Sequence, residues 1–167
     1  REQPRARGLG DVYKRQYTLR VEVTTSSGDL EIYDGNNRAE CQVVVAGSWC
    51  PTCHDEARFM APYYKNNKDR GLEVVYLMFE YSDRFEEVED QVLAFQSRYG
   101  IEHTMLFAGD ASRTTRNDIL PMLNGIIAFP TTVFVDRKGE VRRIHTAFPG
   151  PATGEVHDCL LYTSDAA

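Results

Sequence analysis

The sequence predicts an α/β fold: a three-layer sandwich around a central mixed sheet, mostly parallel, that closes in a C-terminal antiparallel hairpin. Three observations predict it. Gln42 to Ala46 and Leu72 to Phe79 are unbroken apolar runs, as in central strands buried on both faces. A segment of helical period follows each of them. Two short runs, Thr131 to Val135 and Glu140 to His145, then flank Asp136-Arg137-Lys138-Gly139, a loop of hairpin type.

Taken in order, Tyr17 to Thr24 alternates as a strand does, with Tyr17, Leu19, Val21 and Val23 on one face. The turn Ser26-Ser27-Gly28-Asp29 leads into a second short strand, Leu30 to Tyr33, and Asp34-Gly35-Asn36-Asn37 ends it. After the Gln42 strand, Glu56 to Asn67 spaces Phe59, Met60, Tyr63 and Tyr64 as one helix face, and Pro62 is expected to kink that helix without ending it. Phe85, Val88, Val92, Leu93 and Phe95 make the next helix amphipathic, with Glu86, Glu87, Glu89 and Asp90 on its wet face. Thr104 to Phe107 is a short strand. Ser112 to Leu123 reads as a helix that Pro121 kinks or ends.

The two ends are read as foreign. Asp11-Val12-Tyr13-Lys14-Arg15-Gln16 back-translates to GAT GTG TAT AAG AGA CAG, whose reverse complement, read one base into the frame, encodes Cys159-Leu160-Leu161-Tyr162-Thr163. One DNA element in both orientations accounts for both, and it resembles a transposon-end sequencing adapter. Residues 1–16 and 159–167 are therefore set apart as translated adapter, leaving 17–158 as a single domain of about 140 residues from a metagenomic fragment. Its final helix would start about where the sequence stops, after Gly150-Pro151-Ala152, so an exposed apolar patch and low stability are expected.

The ends hold five of the Lys/Arg and three of the Asp/Glu residues, so 14 basic and 22 acidic residues remain, a net charge of −8. An acidic domain without a basic run is a poor partner for nucleic acid or anionic lipid. No apolar stretch approaches the roughly 20 residues of a membrane span. Cys159 goes with the adapter, which leaves Cys41, Cys50 and Cys53: one close pair and a spare, not a disulfide framework.

Cys50-Pro51-Thr52-Cys53 stands between the end of a buried strand and the first turn of a helix. Unpaired backbone N–H groups and the helix dipole favour negative charge there, so the Cys50 thiolate is stabilised and its pKa falls. Cys53, one turn further on, can close a small disulfide ring, which makes Cys50 the nucleophile and Cys53 the resolving thiol. Pro51 removes a donor at a helix start, where little is lost. A zinc site needs four ligands, whereas His54, His103, His145 and His157 are scattered and Cys41 lies across a strand. No metal is expected, and no cofactor beyond the redox-active disulfide itself. Phe129-Pro130-Thr131-Thr132 precedes a strand, where a cis proline can set backbone beside the sulfurs and leave an edge for an extended peptide.

GSWCPTCHDE, then GLEVVYLMFE, then IAFPTTVFVDRKGEVRRIHT, resembles the TlpA-like branch of the thioredoxin superfamily, also called the redoxin or AhpC/TSA-like group. The resemblance covers Leu30 to Glu155. It implies a thioredoxin-like fold and a thiol–disulfide oxidoreductase in which Cys50 attacks, Cys53 resolves and Pro130 is cis; reduction is the favoured direction, with oxidation left open because direction depends on the potential and the partner. Trp49, Pro51, Thr52, Phe129, Pro130 and Thr131 are then the candidate substrate-contacting residues. Its partners would be cysteine-containing proteins and an upstream redox protein, with the chain itself a monomer. The group is typically periplasmic or membrane-anchored, which implies an extracytoplasmic place.

Thioredoxin's buried Asp, six positions before the first cysteine, is here Val44. Members of the TlpA-like group often carry a Glu three residues after the second cysteine, and Glu56 stands there, one helical turn from Cys53. It is the candidate proton carrier, with a pKa raised by partial burial; a solvated first-turn Glu is the competing reading. Pro62 lies further along the helix than the group's usual proline. Cys41 reads as a near-surface or edge residue without a role, His54 as a helix-surface histidine, and Phe59, Tyr63, Tyr64, Phe79 and Tyr81 as core or sheet cover. Two other functions compete with this one: a thiol peroxidase of peroxiredoxin type and a non-catalytic binding module of the same fold. A peroxiredoxin needs Thr or Ser three residues before its reactive cysteine, and the chain offers Gly47 and Cys50 at those positions. A non-catalytic module using only the peptide edge would have no need of both cysteines together with Pro130.

Overall fold

Alternation along two central strands divides the protein into two cores. In the computed structural model, which describes residues 20–24, 30–34, 40–120, 123, 125–136 and 141–150, strand β3 (Glu40–Ala46) pairs in parallel with β4 (Leu72–Glu80). Val43, Val45, Val75, Leu77 and Phe79 point to one side of this pair, and Val44, Ala46, Val74, Tyr76 and Met78 to the other. Helices α1 (Pro51–Asn67) and α2 (Phe85–Tyr99) cover the second side through Ala57, Met60, Ala61, Val88, Val92 and Phe95. Helix α3 (Arg113–Ile119) and the segment after it cover the first, with Leu120, Leu123 and Ile126 buried.

The sheet has the order β5-β4-β3-β6-β7, with β5 (Thr104–Asp110) parallel to β4. Strand β6 (Thr131–Val135) runs antiparallel to β3, and β7 (Val141–Thr146) antiparallel to β6. Half of the strand pairings are thus antiparallel, more than the mostly parallel sheet expected from the sequence. The reason is local: no crossover helix feeds β6 in line with β3, and the chain arrives through the irregular segment after α3. Strands β1 (Arg20–Thr24) and β2 (Leu30–Asp34) form a separate antiparallel pair, with β1 lying against β5.

Several element ends moved. Helix α1 begins at Pro51, five residues before its apolar periodicity starts, because its first two turns bury Cys53, Glu56 and Ala57 in place of large hydrophobics. Pro62 lies inside it and does not end it. Strand β5 runs three residues past Phe107, over a bulge in its pairing with β4 and through Gly109 at φ +111°. Helix α3 stops at Ile119: Leu120 precedes a proline and leaves the helical region at ψ 60°. Ser112 is its N-cap and accepts a hydrogen bond from the Thr115 N–H at 3.2 Å.

Three side-chain assignments also changed. Cys41 is 4% exposed and packed in the α3-side core, because β3 starts two residues earlier than its apolar run. Tyr81 is 73% exposed just past the end of β4, and Leu93 is 46% exposed, off the stripe of Val88, Val92 and Phe95. The adapter-like ends, Tyr17 and Leu19, the side chains of β1 and β2, the turns at 25–29 and 35–39, Pro121, the hairpin loop 137–140 and everything from Pro151 on, His157 included, lie outside the described residues.

Candidate active site

The loop from Gly47 to Cys50 joins β3 to α1 and is tied down before any chemistry is considered. The Trp49 indole N–H donates to the Phe79 carbonyl at 2.9 Å, and a side chain at Gly47 would sit 2.5 Å from that indole nitrogen. Glycine is therefore required there. Ser48 is held on all its polar groups. Its N–H and hydroxyl donate to the two Glu80 oxygens at 2.8 and 2.7 Å, and its carbonyl meets His54 Nε2 at 2.7 Å. His54 Nδ1 in turn pairs with the Tyr99 hydroxyl at 2.7 Å. His54 is thus an internal strut between α1, the loop and α2, which corrects its reading as a surface histidine. Glu80, which sequence reasoning missed, is fully buried. Burial raises its pKa and the two Ser48 hydrogen bonds oppose that rise.

Cys50 occupies the N-cap of α1, with Pro51 at the first helical position. Its carbonyl accepts from the N–H groups of Cys53 and His54 at 3.1 and 3.2 Å. Cys50 keeps 4% of its surface exposed and Cys53 none, so the first sulfur alone borders solvent. Both are free thiols. The Cys53 thiol, donating to the Cys50 sulfur, is the main reason the Cys50 pKa falls from 9.0 to about 6; burial opposes it, while the Thr52 hydroxyl and the N–H groups of Cys53 and Thr52 assist. The same hydrogen bond, with burial and the charge of Glu56 behind it, drives the Cys53 thiol far above the usual range.

The Phe129–Pro130 bond is cis, and it brings the Phe129 carbonyl 3.7 Å from the Cys50 sulfur and 3.0 Å from the Thr52 hydroxyl that donates to it. The Phe129 ring packs edge-on to Trp49 at 5.2 Å, Tyr81 lies 5.0 Å from Trp49, and the Arg116 guanidinium stacks 5.0 Å from the Phe129 ring. Trp49, Pro51, Thr52, Phe129 and Pro130 therefore surround Cys50. Thr131 does not present its side chain: it is buried and its hydroxyl donates to the Ala128 carbonyl at 2.8 Å.

Glu56 lies behind the pair. It is 3% exposed, on the inner face of α1, and Oε1 accepts from the Thr132 hydroxyl at 2.6 Å while Oε2 has no partner among the described residues. Burial lifts its pKa from 4.5 to about 8, against the Thr132 hydrogen bond and with help from the Cys50 charge. Val44, at the place of thioredoxin's Asp, pairs in register with Tyr76 on one side and Thr132 on the other. Among the described residues no group of three or more His, Cys, Asp or Glu side chains comes together as a metal site.

A dithiol at a strand-to-helix junction, faced by a cis proline at the start of a neighbouring strand, defines the thioredoxin-like class of proteins. Residues 24–158 match the Redoxin family model, and the chain belongs to that family. The thiol-disulfide oxidoreductase ResA of Bacillus subtilis is 27% identical over 100 residues, 60% of this chain and 49% of that protein. The chain thus spans about half the length of the curated relatives it matches. A structure described as the thiol:disulfide interchange protein DsbE of Chlorobium tepidum superposes with a TM-score of 0.64 at 16% identity, over 87% of this chain and 93% of that one. A secreted Mycobacterium tuberculosis disulfide oxidoreductase does so at 0.53 and 18% identity, over 87% and 96%. These structures share the fold.

Proposed function

We propose that the chain is a thiol–disulfide oxidoreductase that exchanges electrons with protein cysteines through Cys50 and Cys53. The observation that carries this reading is the asymmetry of the pair: a thiolate-prone sulfur at the surface backed by a sealed thiol that donates to it. The Cys50 thiolate attacks one sulfur of a substrate disulfide, forms a mixed disulfide and releases the other sulfur as a thiolate. Two things then change. Cys50 no longer accepts the Cys53 hydrogen bond, so the largest cause of the high Cys53 pKa disappears. The Cys50 charge that helped hold a proton on Glu56 disappears as well. Glu56 then gives up that proton and, as a carboxylate, takes the Cys53 proton, and the Cys53 thiolate attacks Cys50, closes the internal disulfide and expels the substrate as a thiolate. Trp49, Thr52, Phe129 and Pro130 hold the substrate, with backbone next to Pro130 as an edge for an extended peptide.

We infer reduction of substrates as the direction. A Cys50 pKa of about 6 lies closer to the value of about 7 in a general reductase than to about 3.5 in a strong oxidase, and a less stabilised thiolate goes with a lower potential. An upstream reductant would then regenerate the dithiol. The secreted Mycobacterium tuberculosis structure of the same fold supports an extracytoplasmic place.

Incubation with a disulfide-bonded protein substrate tests the reading. Cys53→Ser should trap a mixed disulfide visible on a non-reducing gel, Cys50→Ser should trap none, and only the wild type should turn over. Equal behaviour of all three would reject it. A midpoint potential below about −200 mV fits a reductase, and one near −120 mV fits an oxidase.

A further inference from the structure

Each cycle of a dithiol and its disulfide moves protons as well as electrons, yet Glu56 is sealed behind α1 at 3% exposure. A carrier with no way out would work once. Its Oε2 is buried and without a partner among the described residues, and Glu56 lines a narrow cleft with Gln42, Thr132 and His145, between Phe59 and Met60 of α1 and the β6–β7 edge of the sheet. The cleft has room for about one water molecule, some 10 Å³. The register of the sheet sets Thr132 directly opposite His145, so the donor to Oε1 and the imidazole share one row. His145 is half-buried on β7, and among the described residues no strand lies beyond β7 on that side.

We propose that Glu56 exchanges its proton with solvent through this cleft, by way of one water and the imidazole of His145. The inference rests on the function proposed above. His145 acts only through Glu56 and touches neither substrate nor sulfur. In the resolving step Glu56, once the Cys50 charge is gone, first passes its own proton to the water and on to His145, which releases it to bulk. The carboxylate so formed takes the Cys53 proton, and the Cys53 thiolate displaces the substrate sulfur from Cys50. Reduction of the internal disulfide runs the path inwards.

The titratable groups facing Glu56 are Cys50 and Cys53 from its own helix and Tyr76 from β4; His145 joins them across the cleft from β7. Tyr76 cannot be the outlet. It is fully buried, so it has no contact with bulk water to hand a proton to, and burial holds its phenol protonated. The charge that bears on His145 is Arg143 of its own strand, and burial with that charge lowers the imidazole pKa, while the Ala147 backbone works the other way. A neutral imidazole at pH 7 can accept a proton.

Reaction of the reduced full chain with a chromogenic aryl disulfide separates the steps, since Cys50 releases the first equivalent of aryl thiolate and Cys53 the second. His145→Ala and His145→Gln should leave the first phase within about twofold and slow the second about tenfold. Imidazole in the buffer should restore the second phase of His145→Ala, and His145→Ala should add nothing in a Glu56→Gln background. An unchanged second phase overturns the route. So does slowing that imidazole leaves in place or that adds in full to Glu56→Gln. A wild type that releases no second equivalent would instead reject the dithiol reading itself, and the route with it.

Discussion

Two carboxyl groups lie beneath the Cys50 loop, both withdrawn from water and both with raised pKa values, and the chain uses them differently. Glu80 ends β4 and has both oxygens engaged by one residue, Ser48. Glu56 sits one turn into α1, has one oxygen engaged by Thr132 and leaves the other to a cleft. Burial is common to the two. What separates them is the number of donors already committed. A carboxylate with both oxygens bound is fixed in place and holds its neighbours, here the loop that carries Trp49 and Cys50. One with a free oxygen can change its protonation without breaking the structure around it.

The comparison breaks most readily at Glu80. Glu80→Ala leaves the Ser48 N–H and hydroxyl without acceptors under the active-site loop, and a loss of roughly 2–4 kcal/mol is expected in a denaturant titration. Disulfide exchange should fall with it, since the loop orients Cys50. Glu80→Gln keeps a carbonyl for the N–H and offers an amide to the hydroxyl, so its cost should stay within about 1 kcal/mol.

At Glu56 the effect should fall on rate. Glu56→Gln should slow the Cys53 step roughly 10²-fold in the two-phase assay while Cys50 alkylation changes little. Equal slowing of both phases would mean that Glu56, like Glu80, only holds the structure.

The two carboxyl groups are also compared through the pH dependence of stability. Glu56 titrates near 8 when folded, against an ordinary value of 4.5, so its contribution is present in full below about pH 4.5 and is lost as pH rises through 8. The loss is about 5 kcal/mol at most. Cys50 runs the other way: its pKa is lowered from 9.0 to about 6, so its contribution is present above pH 9 and lost as pH falls through 6. Melts in a Cys50→Ser background remove that opposing contribution, and the difference from Glu56→Gln in the same background reports Glu56. There the chain should weaken between pH 5 and 8, and Glu56→Gln should remove that slope.

The site was legible where its logic is local. Cys50, Cys53 and Glu56 fall within seven residues at helical spacing, and Pro130 stands immediately before a strand whose pattern is plain. Glu80 was not legible, because its partner Ser48 is 32 residues away and nothing in GLEVVYLMFE marks the last residue as buried. The same distance problem hid His54, whose ring is anchored to Tyr99 45 positions on. Cys41 was misplaced for a different reason. Apolar runs locate the centre of a buried strand and say little about where hydrogen bonding begins, so Glu40 and Cys41 were left outside β3. The antiparallel entry of β6 was likewise invisible, since strand direction depends on the path of the preceding segment and not on the strand's own residues.

The residue beside Cys50 gives the molecule its own optical gauge. Trp49 is the single tryptophan of the chain, its ring lies between Tyr81 and Phe129, and its indole nitrogen is fixed to the β4 backbone. Emission from this protein excited at the red edge therefore comes from one fluorophore at the mouth of the dithiol. A disulfide or a thiolate at that range quenches indole fluorescence by electron transfer, and a peptide laid against Phe129 changes the polarity around the ring. Oxidation, reduction and substrate docking should each be readable in solution without a label, as changes in the intensity or colour of a single emitter.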